Sequence, residues 1–199
     1  MRKFLFVIVV LSIAIGLQAQ VNSIGPTVGF NYARLSERDN ARPSFNFGIL
    51  YNYSIFERSG LGLEVLYSQE GSTTKIGNVN FTNALNYLRI PLEFNYYFGT
   101  LKDDFRPKIF AGPSFAFLVG GESKSQIGST EVKYNSKDIY ESFDVGFLAG
   151  VGFNYRLADM LWLNFDAGYT HGFLNVDKGT NPGLKNRLIN VNLGVAYGF

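Results

Sequence analysis

Eight stretches of this chain alternate between bulky apolar residues and small or polar ones. That two-residue period confines them to strands with two unlike faces. The clearest lies near 85–98, where Leu88, Ile90, Leu92, Phe94, Tyr96 and Phe98 alternate with Arg89, Pro91, Glu93, Asn95 and Tyr97. The terminal one sets Ile189, Val191, Leu193, Val195, Tyr197 and Phe199 against Asn190, Asn192, Gly194, Ala196 and Gly198. The others are expected near 23–33, 44–56, 60–70, 107–120, 142–156 and 161–174. Stretch 107–120 is apolar on both faces, and Ile109, Ala111, Phe115, Phe117 and Val119 are taken as its outer set. No helical stripe of useful length competes. Beyond the start of the chain, no run reaches the roughly 18 apolar residues of a membrane helix.

The connections alternate in length. Segments 35–43, 71–84, 121–141 and 175–186 are long and polar, whereas 57–59 and 157–160 are tight and 99–106 is moderate. Long connections on one side and short ones on the other are the loop pattern of an outer-membrane barrel, with the short turns in the periplasm. The face opposite the apolar one decides what bathes the sheet. A water-soluble barrel needs that face rich in charge. Here it is mostly Gly, Asn, Ser and Thr, and charged residues make up only 17% of the chain. Such a face suits the crowded inside of a narrow barrel, and the bulky apolar face suits lipid. An open edge in lipid would leave unsatisfied backbone groups costing several kcal/mol each, so the last strand must pair with the first. The fold class expected is all-β: an eight-stranded antiparallel up-and-down transmembrane β-barrel.

The start of the chain reads as a cleaved signal peptide. Arg2 and Lys3 precede an apolar run from Phe4 to Ile15, and Ala19 offers a small residue before a cut. The expected domains are therefore 1–19, removed on export, and 20–199, the barrel. Two of the 18 basic residues precede the cut, leaving 16 basic and 16 acidic residues in a near-neutral mature chain. That balance does not point to nucleic acid. There is no cysteine and one histidine, so neither a disulfide framework nor a transition-metal site is expected.

Gly25-Pro26, the run from Tyr87 to Leu92, Tyr96-Tyr97-Phe98, the run from Ala111 to Phe115, the segment FDVGFLAGVGF from Phe143 to Phe153 and the terminal Gly-Val-Ala-Tyr-Gly-Phe carry a resemblance over essentially the whole mature chain. It is similar to the bacterial outer-membrane beta-barrel domain family that includes the PorT-like proteins, and in build to small OmpA/OmpX-type barrels. The resemblance implies residence in the outer membrane after export through the periplasm. It brings no catalytic residues, and some relatives assist secretion or gliding machinery. Val195, Tyr197 and Phe199, with Val191 and Leu193, resemble the terminal signature read by the barrel-assembly machinery. No peptidoglycan-binding domain is expected after Phe199.

The residues that could carry chemistry are few. Glu64, Glu93 and Asp166 are expected inside near mid-height, with Arg89, Asp144, Lys108 and Arg156 inside nearer the ends. Buried charges need partners, and Glu64 with Arg89 is the expected pair. Such a cluster plugs the barrel or, if water threads it, conducts. His171 is expected at the outer end of the seventh strand, where an enzyme would place Ser68 or Ser142 beside it. Arg187, Lys185 and Lys178 at the same rim could meet anionic head groups. Tyr32, Tyr51, Tyr67, Tyr96, Tyr155 and Tyr169 are candidates for an aromatic girdle. The function expected is non-enzymatic and without cofactor: a structural or adhesive surface protein, or an accessory of an envelope machine. It would act through its outer loops, with outer-membrane lipids and an envelope protein as candidate partners. A lipid-modifying enzyme and a narrow pore are the alternatives.

Overall fold

A computed structural model describes residues 22–35, 40–179 and 183–199. The expected signal peptide lies outside the described residues. The elements are β1 (Asn22–Arg34), β2 (Asn40–Phe56), β3 (Ser59–Ile76), β4 (Val79–Tyr97), β5 (Phe105–Ile127), β6 (Thr130–Asn135), the one-turn helix α1 (Ser136–Ile139), β7 (Phe143–Ala158), β8 (Leu161–Gly172) and β9 (Arg187–Gly198). Eight strands form a ring in which each pairs antiparallel with its neighbours, in the order β1, β2, β3, β4, β5, β7, β8, β9. β6 stands outside the ring and pairs with β5.

The ring closes between β1 and β9, from Ser23 opposite Gly198 to Arg34 opposite Arg187. Phe199 and Asn22 exchange backbone hydrogen bonds, at 2.8 and 3.2 Å. No free edge is left in the wall, which is what a sheet in hydrocarbon requires. No helix among the described residues is long and apolar enough to cross a membrane; the strands do it.

The two faces sort as their chemistry demands. Ile189, Val191, Leu193, Val195 and Tyr197 point outward and are exposed, while Asn190, Asn192 and Ala196 between them are buried. In β5 the outer set includes Ile109, Phe117 and Val119, and Lys108, Phe110, Ser114, Ala116 and Leu118 are buried inside. A monomer surrounded by water rarely exposes a continuous apolar belt of this extent, so the belt is the lipid-facing wall.

The expectation fails in two of the long connections. Segment 71–84 is not a loop: β3 and β4 run on as a hairpin and turn only at Gly77-Asn78. Segment 121–141 likewise holds the end of β5, a turn at Gly128-Ser129, all of β6 and α1. Gly77 has φ 59° and Gly128 φ 58°, while neither Asn78 nor Ser129 has a positive φ. Positive φ at the first of two turn residues is the type II′ pattern that glycine supplies.

Candidate functional site

The interior holds three layers of polar contacts. In the upper layer Arg89 Nε meets Glu70 Oε1 at 2.7 Å and Nη2 meets Oε2 at 2.8 Å, a two-pronged pair buried from solvent. Arg89 Nη1 also donates to Ser114 Oγ at 2.8 Å. Ser68 and Asn186 donate to the same Glu70 carboxylate. The expected pairing of Glu64 with Arg89 is therefore corrected. Leu66 is the register partner of Arg89, and the guanidinium reaches up to Glu70 rather than down to Glu64. Asp144 lies buried in this layer. Its carboxylate accepts from the backbone amides of Val145 and Leu174 and feels the charge of Arg89.

The middle layer gathers Glu64, Glu93 and Asp166 around Lys108, whose Nζ is 2.9 Å from Asp166 Oδ1 and 3.1 Å from Oδ2. A relay of side chains joins it to the layer above. Asn192 donates to Glu64, Asn46 donates to both Asn192 and Asn31, Asn31 donates to Ser68, and Ser68 donates to Glu70. At the periplasmic end Arg106 sits 4.0 Å above the Tyr97 ring and donates to the Glu57 carbonyl. Arg156, half-buried, lies 4.8 Å from the Trp162 ring and 3.6 Å from Asp104.

This packing leaves little room. The space between the upper and middle layers measures 10 Å³, and that around Arg106 and Trp162 measures 20 Å³. A single water needs about 10–15 Å³. Above these layers Leu35, Leu85, Tyr87, Ala116, Leu118, Tyr140 and Val176 form an apolar plug across the mouth. Backbone bonds tie it shut, from Glu141 N to Val176 O at 2.8 Å and from Lys178 N to Ile139 O at 3.0 Å. A bonded polar filling under an apolar cork rigidifies a barrel.

His171 lies on the outer wall. Its Nδ1 is 3.3 Å from Tyr169 Oη, and its cross-strand neighbours are Phe147 and Arg187. Ser68 faces the interior, so the wall separates it from His171; Ser142 is an exposed residue just before β7. Tyr32, Tyr96, Tyr155 and Tyr169 are exposed on the outer wall and Tyr51 and Tyr67 are partly so, whereas Tyr87 and Tyr97 point inward.

Above the mouth, β3, β4, β5 and β6 continue as a four-stranded sheet, and there the polarity of the faces reverses. Residues directly opposite in register share a face. One face carries Ile76, Val79 and Ile127, then Phe81 and Val132, then Tyr134; the other carries Lys75, Gln126 and Glu131, then Lys124 and Lys133, then Glu122. The apolar face continues the inward side of β3 and β4. A bulge at Val119, between the pairs Asn86–Gly120 and Tyr87–Leu118, brings β5 into step. Below the bulge the outer side is apolar; above it the outer side is charged. Charge on the outer side marks where lipid gives way to water. Sequence reasoning missed this sheet, although Gly-Asn and Gly-Ser dipeptides between strands are hairpin signals.

Comparison with known proteins agrees with this architecture. A family model described as outer membrane protein beta-barrel domain matches residues 18–178. Among solved structures, a major outer membrane protein from Thermus thermophilus aligns with TM-score 0.56 at 14% identity, covering 92% of this chain and 100% of its own. Neisserial surface protein A aligns with TM-score 0.55 at 17% identity, over 89% and 97% of the two chains. The outer membrane protein OprG of Pseudomonas aeruginosa aligns with TM-score 0.54 at 13% identity, over 92% and 98%. At these identities the likeness is one of fold. No curated protein matches the sequence significantly.

Proposed function

We propose a function that starts from family: the chain belongs to the outer membrane protein beta-barrel domain family, it resides in the bacterial outer membrane, and its work is attachment through the outer sheet. The observation that carries this is the sheet formed by β3, β4, β5 and β6, which rises out of the lipid with Ile76, Ile127, Val132 and Tyr134 exposed. Apolar side chains held in water on a rigid frame mark a contact surface. The barrel beneath is a non-enzymatic pedestal, and the resemblance to PorT-like proteins makes a component of an envelope machine one class of partner.

The test is to shorten both hairpins, joining Gly71 to Ala84 and Gly121 to Glu141 by tight turns, in the protein reconstituted in vesicles. The barrel keeps its strand signal in circular dichroism, and attachment of the vesicles to partner-bearing surfaces is lost. Attachment that survives the shortening would overturn the reading.

A further inference from the structure

We infer that the outer sheet binds a second copy of this chain, edge to edge along β6, with the two barrels at opposite ends of the joint sheet. This rests on the attachment reading and names the partner. Among the described residues β6 pairs with β5 alone, and all six of its residues, Thr130–Asn135, are exposed. Its other side is therefore an open row of backbone donors and acceptors, the template for strand addition.

Charge selects what can be added. On the outer face β6 presents Glu131 and Lys133, two residues apart. Lys133 already lies directly opposite Lys124 on the β5 side, and like charges opposite one another are unfavourable. The glutamates Glu122 and Glu131 relieve this from 3.1–3.6 Å, but all four side chains are at least one-third exposed, so these contacts hold weakly. The open side of Lys133 is where a further carboxylate is favoured. Edge charges usually guard a strand against pairing. Here the opposite signs remove that guard for one register. An antiparallel pair centred on Val132 places each Glu131 opposite the partner's Lys133, Val132 opposite Val132, and Thr130 opposite Tyr134. The apolar face then continues from one copy into the next. Parallel pairing through the same free edge would instead turn one sheet over, laying the charged face of one copy beside the apolar face of the other.

The antiparallel choice fixes geometry. Thr130 follows the hairpin tip, and Asn135 leads back through α1 to the mouth. Pairing Thr130 with the other copy's Tyr134 sets the tip of one sheet beside the base of the other. The contact is isologous and joins facing membranes rather than neighbours in one membrane.

The experiment uses the reconstituted protein in phosphatidylcholine vesicles, with clustering followed by energy transfer between two dye-labelled populations. Wild-type vesicles cluster, and high salt weakens the clustering. Vesicles carrying Glu131→Lys alone, or Lys133→Glu alone, lose clustering at least ten-fold. Mixing the two variant populations restores it, because the paired lysines on the edge of one variant then meet the paired glutamates of the other. Val132→Cys gives a covalent dimer under oxidation, since opposed Cβ atoms in an antiparallel pair approach disulfide range, while Lys124→Cys does not. The chain contains no other cysteine. Circular dichroism and wild-type strand content establish that each variant is folded. Wild-type vesicles that do not cluster, clustering indifferent to both reversals, or no recovery on mixing would overturn the inference. If clustering is absent while attachment through the hairpins persists, the partner is another molecule and the attachment reading stands. If attachment survives hairpin shortening, that reading falls on its own.

Discussion

Removing Arg89 would leave the Glu70 carboxylate buried with Ser68 and Asn186 as its remaining donors. Breaking a buried ion pair on one side costs about 3–5 kcal/mol. Arg89→Met is therefore expected to lower unfolding stability in detergent or lipid by about that amount. A double-mutant cycle with Glu70→Leu should show strong coupling, and the same cycle with Glu64→Leu should show little. Equal coupling to Glu64 would restore the pairing that alternation suggested. The sequence showed which face Glu64, Glu70 and Arg89 occupy, but not the register between β3 and β4 that decides reach. Lys108 engages the middle carboxylates, which leaves Arg89 to Glu70. At the periplasmic turn, the Asp103 carboxylate accepts from the Thr100 amide and hydroxyl at 2.7 and 3.1 Å, and these bonds hold it below the usual carboxylate range. A depressed folded value stabilises above the unfolded value of about 3.9, and that stabilisation is lost as pH falls through the folded value. Carbon-detected NMR titration should place Asp103 below an ordinary aspartate, and Thr100→Ala should raise it. A titration unchanged by Thr100→Ala would contradict this.

At the scale of the element, alternation made the eight wall strands legible because lipid imposes one rule along each of them. It lost β6 and the upper parts of β3, β4 and β5 because that rule inverts where the wall leaves the membrane. Ser, Lys and Gly in 121–141 then read as a loop, and the bulge at Val119 shifts the apolar positions of β5 by one residue. The boundary can be measured along β4, whose outer side carries Ile90 in the belt and Thr82 above it. Ile90→Arg is expected to cost about 2–4 kcal/mol in lipid, and Thr82→Arg less than about 1 kcal/mol. Equal costs would mean that the boundary is misplaced.

For the whole molecule, the filled interior and the plugged mouth predict a barrel that carries no ions. Planar-bilayer recordings of the reconstituted protein should stay at baseline, whereas steady single-channel steps would mean that the Glu64, Glu93 and Asp166 layer opens. The reading of the molecule as a membrane barrel depends on hydrocarbon lying against the Leu-Phe-Tyr side of the wall. Single cysteines are unique labels in a chain that has none. Spin labels at Ile90, Leu193 and Lys124 in bilayers, with collision rates for oxygen and a water-soluble nickel chelate, test this most directly. Oxygen-dominated collisions are expected at Ile90 and Leu193 and nickel-dominated collisions at Lys124. Nickel access at Leu193, or a monodisperse folded protein in buffer free of detergent with Leu193 turned to its centre, would contradict it.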